Sequence, residues 1–468
     1  MITTRPFIRR IFAGTATLAV VLALGACGGG EEDAAEDGES AESIVFWTPQ
    51  TTPERMTAQQ EIAAAFTAES GIEVEVVPLA GADQNQALVT GAASGDVPDV
   101  ILHAPDQTTA WNEQGLLDTE AAQAVMDELG AETFNEQALE LVTLDGELAV
   151  VPSDGWAHLV VYRADLLEAA GIDPPSSIED LADVATEMKS GTVSGMAMGT
   201  QPGTPSSTEA LESMLQPTGC ELVTDGEVTI DSSECVEGLE IFQQLSESSA
   251  AGQFDVTSAR AAYLAGNAAM LVFSSHILDE LAGLDAANPP TCAECAANPA
   301  FLAENSGFVT VLDGGAEGAQ YGTTLNYAIP TGANVDEAQQ FITYLMSDGY
   351  VDTLGVATEG RVPLRAGTAD NPTEYIDAWG ALPFGATPGS ELSIADVYGD
   401  EVVTALGEGT EAISRWGFGT DDATLAGAVF AQNVLSQNLE ALYAGEDPEA
   451  VASAMAEAVV AIQEELGD

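Results

Sequence analysis

Residues that could act as acids, bases or nucleophiles are unevenly represented in this 468-residue chain. Histidine occurs three times, as His103, His158 and His276, and lysine once, as Lys189. Lys189 follows Met188, so no Gly-Lys pair exists from which a nucleotide phosphate cradle could be built. Neither a Gly-x-Ser-x-Gly elbow nor a His-Glu-x-x-His zinc motif is present. The 76 acidic residues could supply the carboxylate pair of a glycan hydrolase, but no spacing singles one out. Beyond Cys27 there are four cysteines, Cys220, Cys235, Cys292 and Cys295, an even number that implies two disulfides in an oxidising compartment. Three connectivities are open, and the pairing that closes two local loops, Cys220 with Cys235 and Cys292 with Cys295, is the expected one. A redox Cys292-x-x-Cys295 pair or a four-cysteine zinc site is the sharper alternative. The flanking Pro289, Pro290 and Pro299 suit a stapled surface loop better than a helix start that would lower a thiol pKa. Binding chemistry is thus expected in place of catalysis, with no cofactor.

The first segment reads as an address. Arg5, Arg9 and Arg10 precede an apolar run over 11–26 that is short for a bilayer span, the pattern of a signal peptide over 1–26. It ends in Leu24-Gly25-Ala26-Cys27, which resembles the lipobox of bacterial lipoproteins and implies cleavage before Cys27 and acylation of its thiol. Residues 27–43 are glycine-rich and acidic, and read as a flexible tether. The location expected is therefore the extracytoplasmic face of the cell membrane, held by lipid.

Without the first 26 residues, seven basic residues set against 76 acidic ones leave a formal charge of −69. A chain so acidic is excluded from nucleic acid. The acidic residues are spread along the whole length, as on a surface adapted to high salt; plain solubility is the simpler explanation. About 425 residues after the tether are enough for two lobes with their own cores.

Elements that would position a site alternate along the chain. A strand over 44–47, a helix over 54–70 stopped at Gly71, a strand over 72–76, a helix over 83–94 and a strand over 99–102 predict an α/β fold with a largely parallel sheet. Ligands in such sheets sit beyond the carboxyl ends of strands, just after Trp47 and Leu102. An extended run over 147–162, broken at 152–155, predicts a first crossing into a second lobe. That lobe would hold helices near 177–189 and 235–246 and a strand over 269–273. A return crossing is expected near 321–330, a helix over 336–347, a third crossing near 360–363, and final helices over 424–443 and 448–466. The lobes expected are 44–152 with 321–360, and 153–320 with 361–468.

Several motifs resemble the family 1 extracellular solute-binding proteins. They are Gly95-Asp96-Val97-Pro98-Asp99-Val100, Gly115-Leu116-Leu117, the run from Val161-Tyr162-Arg163-Ala164-Asp165-Leu166-Leu167 to Gly171-Ile172, Ala265-Gly266-Asn267-Ala268-Ala269-Met270, and Gly360-Arg361-Val362-Pro363. The resemblance implies a periplasmic-binding-protein type II fold: two α/β lobes, a hinge of three crossings, and a ligand cleft that closes by hinge motion. It also implies a monomer that delivers a small molecule, a sugar or oligosaccharide, to ABC permease subunits. A sugar cleft needs aromatic faces for the C–H side of the ring and polar groups for its hydroxyls. By motif, the pocket residues of the maltose-binding members fall on Trp47, Asp106, Trp156 and His276, with His103 where those members have tryptophan. Arg361, Trp379 and Trp416, with Phe418, are further candidates for the cleft. Two alternatives are a metal ion or anionic solute gripped by His103, His276 and Asp106, and, more remotely, an anchored hydrolase.

Overall fold

A computed structural model describes residues 43–144, 146–315, 319–385 and 392–467. The lipobox Cys27, the signal segment and all of the tether but its last residue lie outside these.

Ten strands form one sheet: β1 (Ser43–Thr48), β2 (Glu73–Pro78), β3 (Val100–His103), β4 (Val151–Arg163), β5 (Ser194–Ala197), β6 (Ala268–Ser274), β7 (Ser306–Val309), β8 (Gln320–Ala328), β9 (Val362–Pro363) and β10 (Ile413–Ser414). Their order is β2-β1-β3-β8-β4-β6-β5, with β7 and β9 also on β4 and β10 on β8. Among the described residues no helix is long and apolar enough to cross a membrane.

The first lobe grows from local signals. Thr52 caps the helix Pro53–Ser70 (α1), accepting from the Arg55 N–H, and proline at its start supplies a preset φ. Gly71 ends it in the left-handed conformation. The chain returns as β2, parallel to β1, then passes through α2 (Gly81–Ser94) to β3, parallel on the other side of β1. Helix α1 and the helix Val335–Leu345 cover one face, where Phe46, Phe66 and Phe341 pack ring to ring. On the other face, Leu88 and Ile101 pack with Trp111 of the short helix α3 (Thr108–Glu113).

Crossing strands depart from the parallel pattern expected from alternation. β4 is a single strand of 13 residues, unbroken at 152–155. Its first half pairs antiparallel with β8 and its second half antiparallel with β6 and β7. The pairs β1–β2, β1–β3, β6–β5 and β8–β10 are parallel, so both kinds share one sheet. The reason is geometric: a chain that leaves one lobe along β4 and returns beside it along β8 must run the opposite way.

The third crossing, β9, pairs with β4 at Asp154 and Gly155. Here Arg361 is 2% exposed, and its Nε and Nη2 both donate to the Asp154 carboxylate at 2.8 and 2.6 Å, while Nη1 donates to the Thr353 carbonyl. The Tyr350 hydroxyl donates to the neighbouring Ser153 carbonyl. Gly155 admits this crowding, since a Cβ there would lie 2.6 Å from the Thr323 carbonyl oxygen.

In the second lobe the disulfides join Cys220 to Cys235 and Cys292 to Cys295, both buried, as the local pairing predicted. The helix expected over 424–443 is three shorter ones, Ala423–Gln432, Val434–Gln437 and Leu439–Tyr443. Asn433 adopts φ 53° between the first two, a left-handed residue that a continuous helix does not accommodate. The last helix runs over Pro448–Gly467.

Candidate ligand site between the lobes

Trp156 lies near the middle of β4, half-buried, where the strand passes from its β8 partner to its β6 partner. The strand's period of two puts its side chain on the same face as that of His158. The two rings stack at 5.6 Å and 24°. Tyr321 of β8 packs on both, at 6.1 Å from Trp156 and 4.7 Å from His158. His276, in the turn after β6, meets Trp156 edge-on at 6.1 Å and 83°. It also packs against Gly360 of the third crossing, where a Cβ would stand 1.9 Å from Nε2. Four rings from three segments therefore converge on the crossing strands.

Arg415, just after β10, extends this cluster. Its guanidinium lies over Tyr321, Phe418 and Phe430, with ring centroids at 4.7, 4.6 and 4.7 Å. Nε donates to Glu212 Oε1 at 3.1 Å, on the helix Pro205–Leu215. The Trp416 backbone N–H donates to the same oxygen. Nη2 of this 6%-exposed residue has no partner among the described residues. Burial works against the Arg415 charge, but Glu212, Tyr321 and Glu209 outweigh it and hold the group protonated.

Carboxylates approach from both sides. Asp106, in the turn Pro105–Gln107 after β3, has its pKa pushed up by desolvation against the pull of Arg415. By its accessible surface, however, Asp106 is exposed, so the desolvation is partial. Glu209 is pushed up in the same way, Arg415 opposing and Glu212 adding. The lobes touch near Asp106: its main-chain oxygen would lie 3.6 Å from a Cβ on Gly427, and Thr424 donates to Glu113 across the gap at 2.6 Å. On the other side, Arg55 of α1 donates to Gln50, lies 3.8 Å from Glu359 and acts electrostatically on His276.

Two hollows adjoin these groups. The larger, a trough of about 1110 Å³ lined with Glu140, Glu221, Asp225 and Asp422, reaches Arg415 and Phe418 but none of the Trp156, His158, His276 and Tyr321 rings. A pocket of about 150 Å³ is lined by Trp156 and His158 together with Ser206, Glu209, Val256 and Ser274. The smaller one is the better candidate, because flat rings, hydroxyls and a carboxylate meet in it.

All three histidines are neutral at pH 7. Burial lowers His103 to about 4, with its bond to the Ala104 carbonyl opposing; burial and then Arg415 lower His158 to about 3; burial and then Arg55 lower His276 to about 4. Among the described residues no group of three His, Cys, Asp or Glu side chains is placed to hold a metal.

Of the residues chosen from sequence, Trp156 and His276 touch, and Asp106 acts electrostatically on Tyr321, the ring that packs on Trp156. Trp47 is half-buried near the end of β1, against the Leu88, Ile101 and Trp111 cluster. His103 is fully buried beside Trp111 and opposite Asn326; among the described residues its Nε2 and both Asn326 amide atoms have no hydrogen-bond partner. Arg361 is buried and bonded to Asp154 and to the Thr353 carbonyl. Trp379 is enclosed, its indole N–H donating to the Thr358 carbonyl, and Trp416 is enclosed with its N–H on the Cys220 carbonyl. Both aromatic platforms are spent inside the molecule because an indole with a satisfied N–H buries well. Sequence reasoning missed Arg415, Tyr321, Phe430, Glu209 and Arg55. Scarcity of basic residues was a signal for Arg415, and it was read only at Arg361.

A two-lobed α/β protein with a ring-lined pocket at the crossing strands is a binding protein by architecture. The chain matches the bacterial extracellular solute-binding protein family over residues 49–352, and it belongs to that family. It is similar to the putative ABC transporter periplasmic-binding protein YcjN of Escherichia coli, 25% identical over 395 residues, covering 80% of this chain and 86% of the relative. The fold matches the cyclic α-maltosyl-1,6-maltose binding protein of Arthrobacter globiformis (TM-score 0.68, 16% identity, 90% of this chain and 98% of the other). It also matches the GacH receptor of Streptomyces glaucescens, solved unliganded and with acarbose (TM-score 0.66, 18% identity, 91% and 99%).

Proposed function

We propose that this chain is the lipid-anchored, extracytoplasmic binding subunit of an ABC importer, taking a sugar or oligosaccharide between its lobes and presenting it to permease subunits. The observation that carries the reading is the pocket beneath Trp156, where aromatic faces for a sugar's C–H surface stand beside Ser206, Ser274 and Glu209 for its hydroxyls. Oligosaccharide ligands of the Arthrobacter and Streptomyces proteins support it. Among the described residues no three His, Cys, Asp or Glu side chains are placed to hold a metal, so nothing in the site favours the metal reading.

The lobes proposed are 44–152 with 321–360 and 153–320 with 361–468; crossings at β4, β8 and β9 support these limits. Hinge motion there would let a ligand that touches both lobes hold them closed. Mass spectrometry of the small molecule that co-purifies under mild conditions, with calorimetry on a sugar panel, tests the function. A saccharide is expected, and a metal ion or a non-carbohydrate anion in its place would refute it. The mass of the mature N-terminus tests the anchor at Cys27.

A further inference from the structure

Ser206, Glu209 and Ser274 give the pocket beside Trp156 a polar side, but much of its wall is apolar: Ala210, Val256, Ala259, Val272 and Phe273 line the same space of about 150 Å³. Four of these five are enclosed within the protein, whereas Val256 is 46% exposed, one of five large apolar side chains left so among the described residues. The exposure has a local cause. Val256 is the first residue of the helix Val256–Leu264, and its neighbour Asp255 caps that helix by accepting the Ser258 N–H, which holds this end at the pocket. Single exposed valines are ordinary on a surface, but this one belongs to a concave wall. All eleven lining residues fall within 156–274, so the wall is built without the segments that carry Trp47 and Asp106. Its volume is well below the roughly 300–1,000 Å³ of drug-sized ligand sites, and suits one sugar ring in place of a chain of them. A hydroxymethyl group laid on such a wall would lose its water and find no partner, whereas a methyl group is stabilised by the same burial.

We propose that the ring bound here is a 6-deoxyhexose, its methyl group seated against Val256 and Val272 while its hydroxyls meet Ser206, Glu209 and Ser274 and its C–H face lies on Trp156. This rests on the sugar reading of the same site and names the class of sugar. A pentose would leave the apolar wall uncovered, and an ordinary hexose would set its primary hydroxyl against it.

Calorimetry on the full mature chain compares rings of one configuration that carry hydrogen, methyl or hydroxymethyl at the same carbon. The series are D-xylose, 6-deoxy-D-glucose and D-glucose; L-arabinose, D-fucose and D-galactose; D-arabinose, L-fucose and L-galactose; and L-lyxose, L-rhamnose and L-mannose. Maltotriose and cellotriose stand for chains of ordinary hexoses. In at least one series the 6-deoxyhexose should bind about tenfold or more tightly than the hexose, and about threefold or more tightly than the pentose. Val256→Thr keeps the shape of the wall and adds a hydroxyl; with the melting temperature preserved, it should cut the preference over the hexose to about threefold or less. Val256→Ala should remove the gain over the pentose. A hexose or a pentose that binds as tightly as the 6-deoxyhexose in every series, a preference that Val256→Thr leaves intact, or a hexose chain that binds more tightly than every 6-deoxyhexose, overturns the proposal and leaves the sugar reading standing. If no sugar binds at all, that reading falls and this one with it.

Discussion

Trp156 supplies the only indole in the ring cluster at the crossing strands, touching His158, His276 and Tyr321. Replacing it with alanine removes a stacking face and its apolar burial, and ligand affinity should fall by about 1–3 kcal/mol. Titration calorimetry beside a thermal melt checks this, and unchanged affinity in a folded protein would count against the pocket. Glu280 gives a second residue-scale expectation. It is 4% exposed and paired with Arg260, and its pKa is pushed up to about 8 by burial, against Arg260 and with Asp279, Asp285 and Glu359 adding. A raised carboxyl keeps its proton in the folded state longer than in the unfolded one. Its contribution to stability is therefore full below pH 4.5 and is lost as pH rises through about 8. Glu280→Gln should flatten the loss of melting temperature between pH 5 and 8; an unaltered slope would reject the assignment.

Among elements, two of the three crossings, β4 and β9, are joined by one buried ion pair. Asp154 on β4 and Arg361 beside β9 are 0% and 2% exposed, bound through two hydrogen bonds. Removing one partner strands the other charge, so Asp154→Asn should cost about 3–5 kcal/mol in denaturant unfolding. Asp154→Asn with Arg361→Met together should cost less than the two single losses added, because the second change removes the stranded charge. Additive losses would mean the pair is not coupled. This hinge was only partly legible beforehand. The extended run over 147–162 marked a crossing, but from the sequence Arg361 is a candidate for the cleft or a partner of some unspecified carboxylate. Its partner lies 207 positions away, and no local pattern announces such a pair.

Across the whole molecule, the acidic charge governs how the surface responds to salt. Seven basic residues after the signal segment face 76 acidic ones. Five of the arginines lie within 4 Å of a carboxylate, leaving most acids to repel one another. At about 0.01 M salt that repulsion reaches roughly 30 Å, and at 1 M roughly 3 Å. The melting temperature should therefore climb clearly from low to molar NaCl, and a flat response would argue that the acidity serves solubility alone.

What the sequence determined by itself was local or additive. Thr52, Pro53 and Gly71 delimit the first helix through backbone capping, the nearby cysteines find each other within short loops, and net charge is a count. Tertiary structure alone decided the antiparallel pairing of β4 with β8, the burial of Trp379 and Trp416, and the meeting of Trp156, His276, Tyr321 and Arg415. The physical reason is that capping and loop closure act between near neighbours in the chain. A ring cluster or a caged guanidinium exists only where distant segments are packed against one another, and which side chains are spent inside and which face the cleft is settled by that packing.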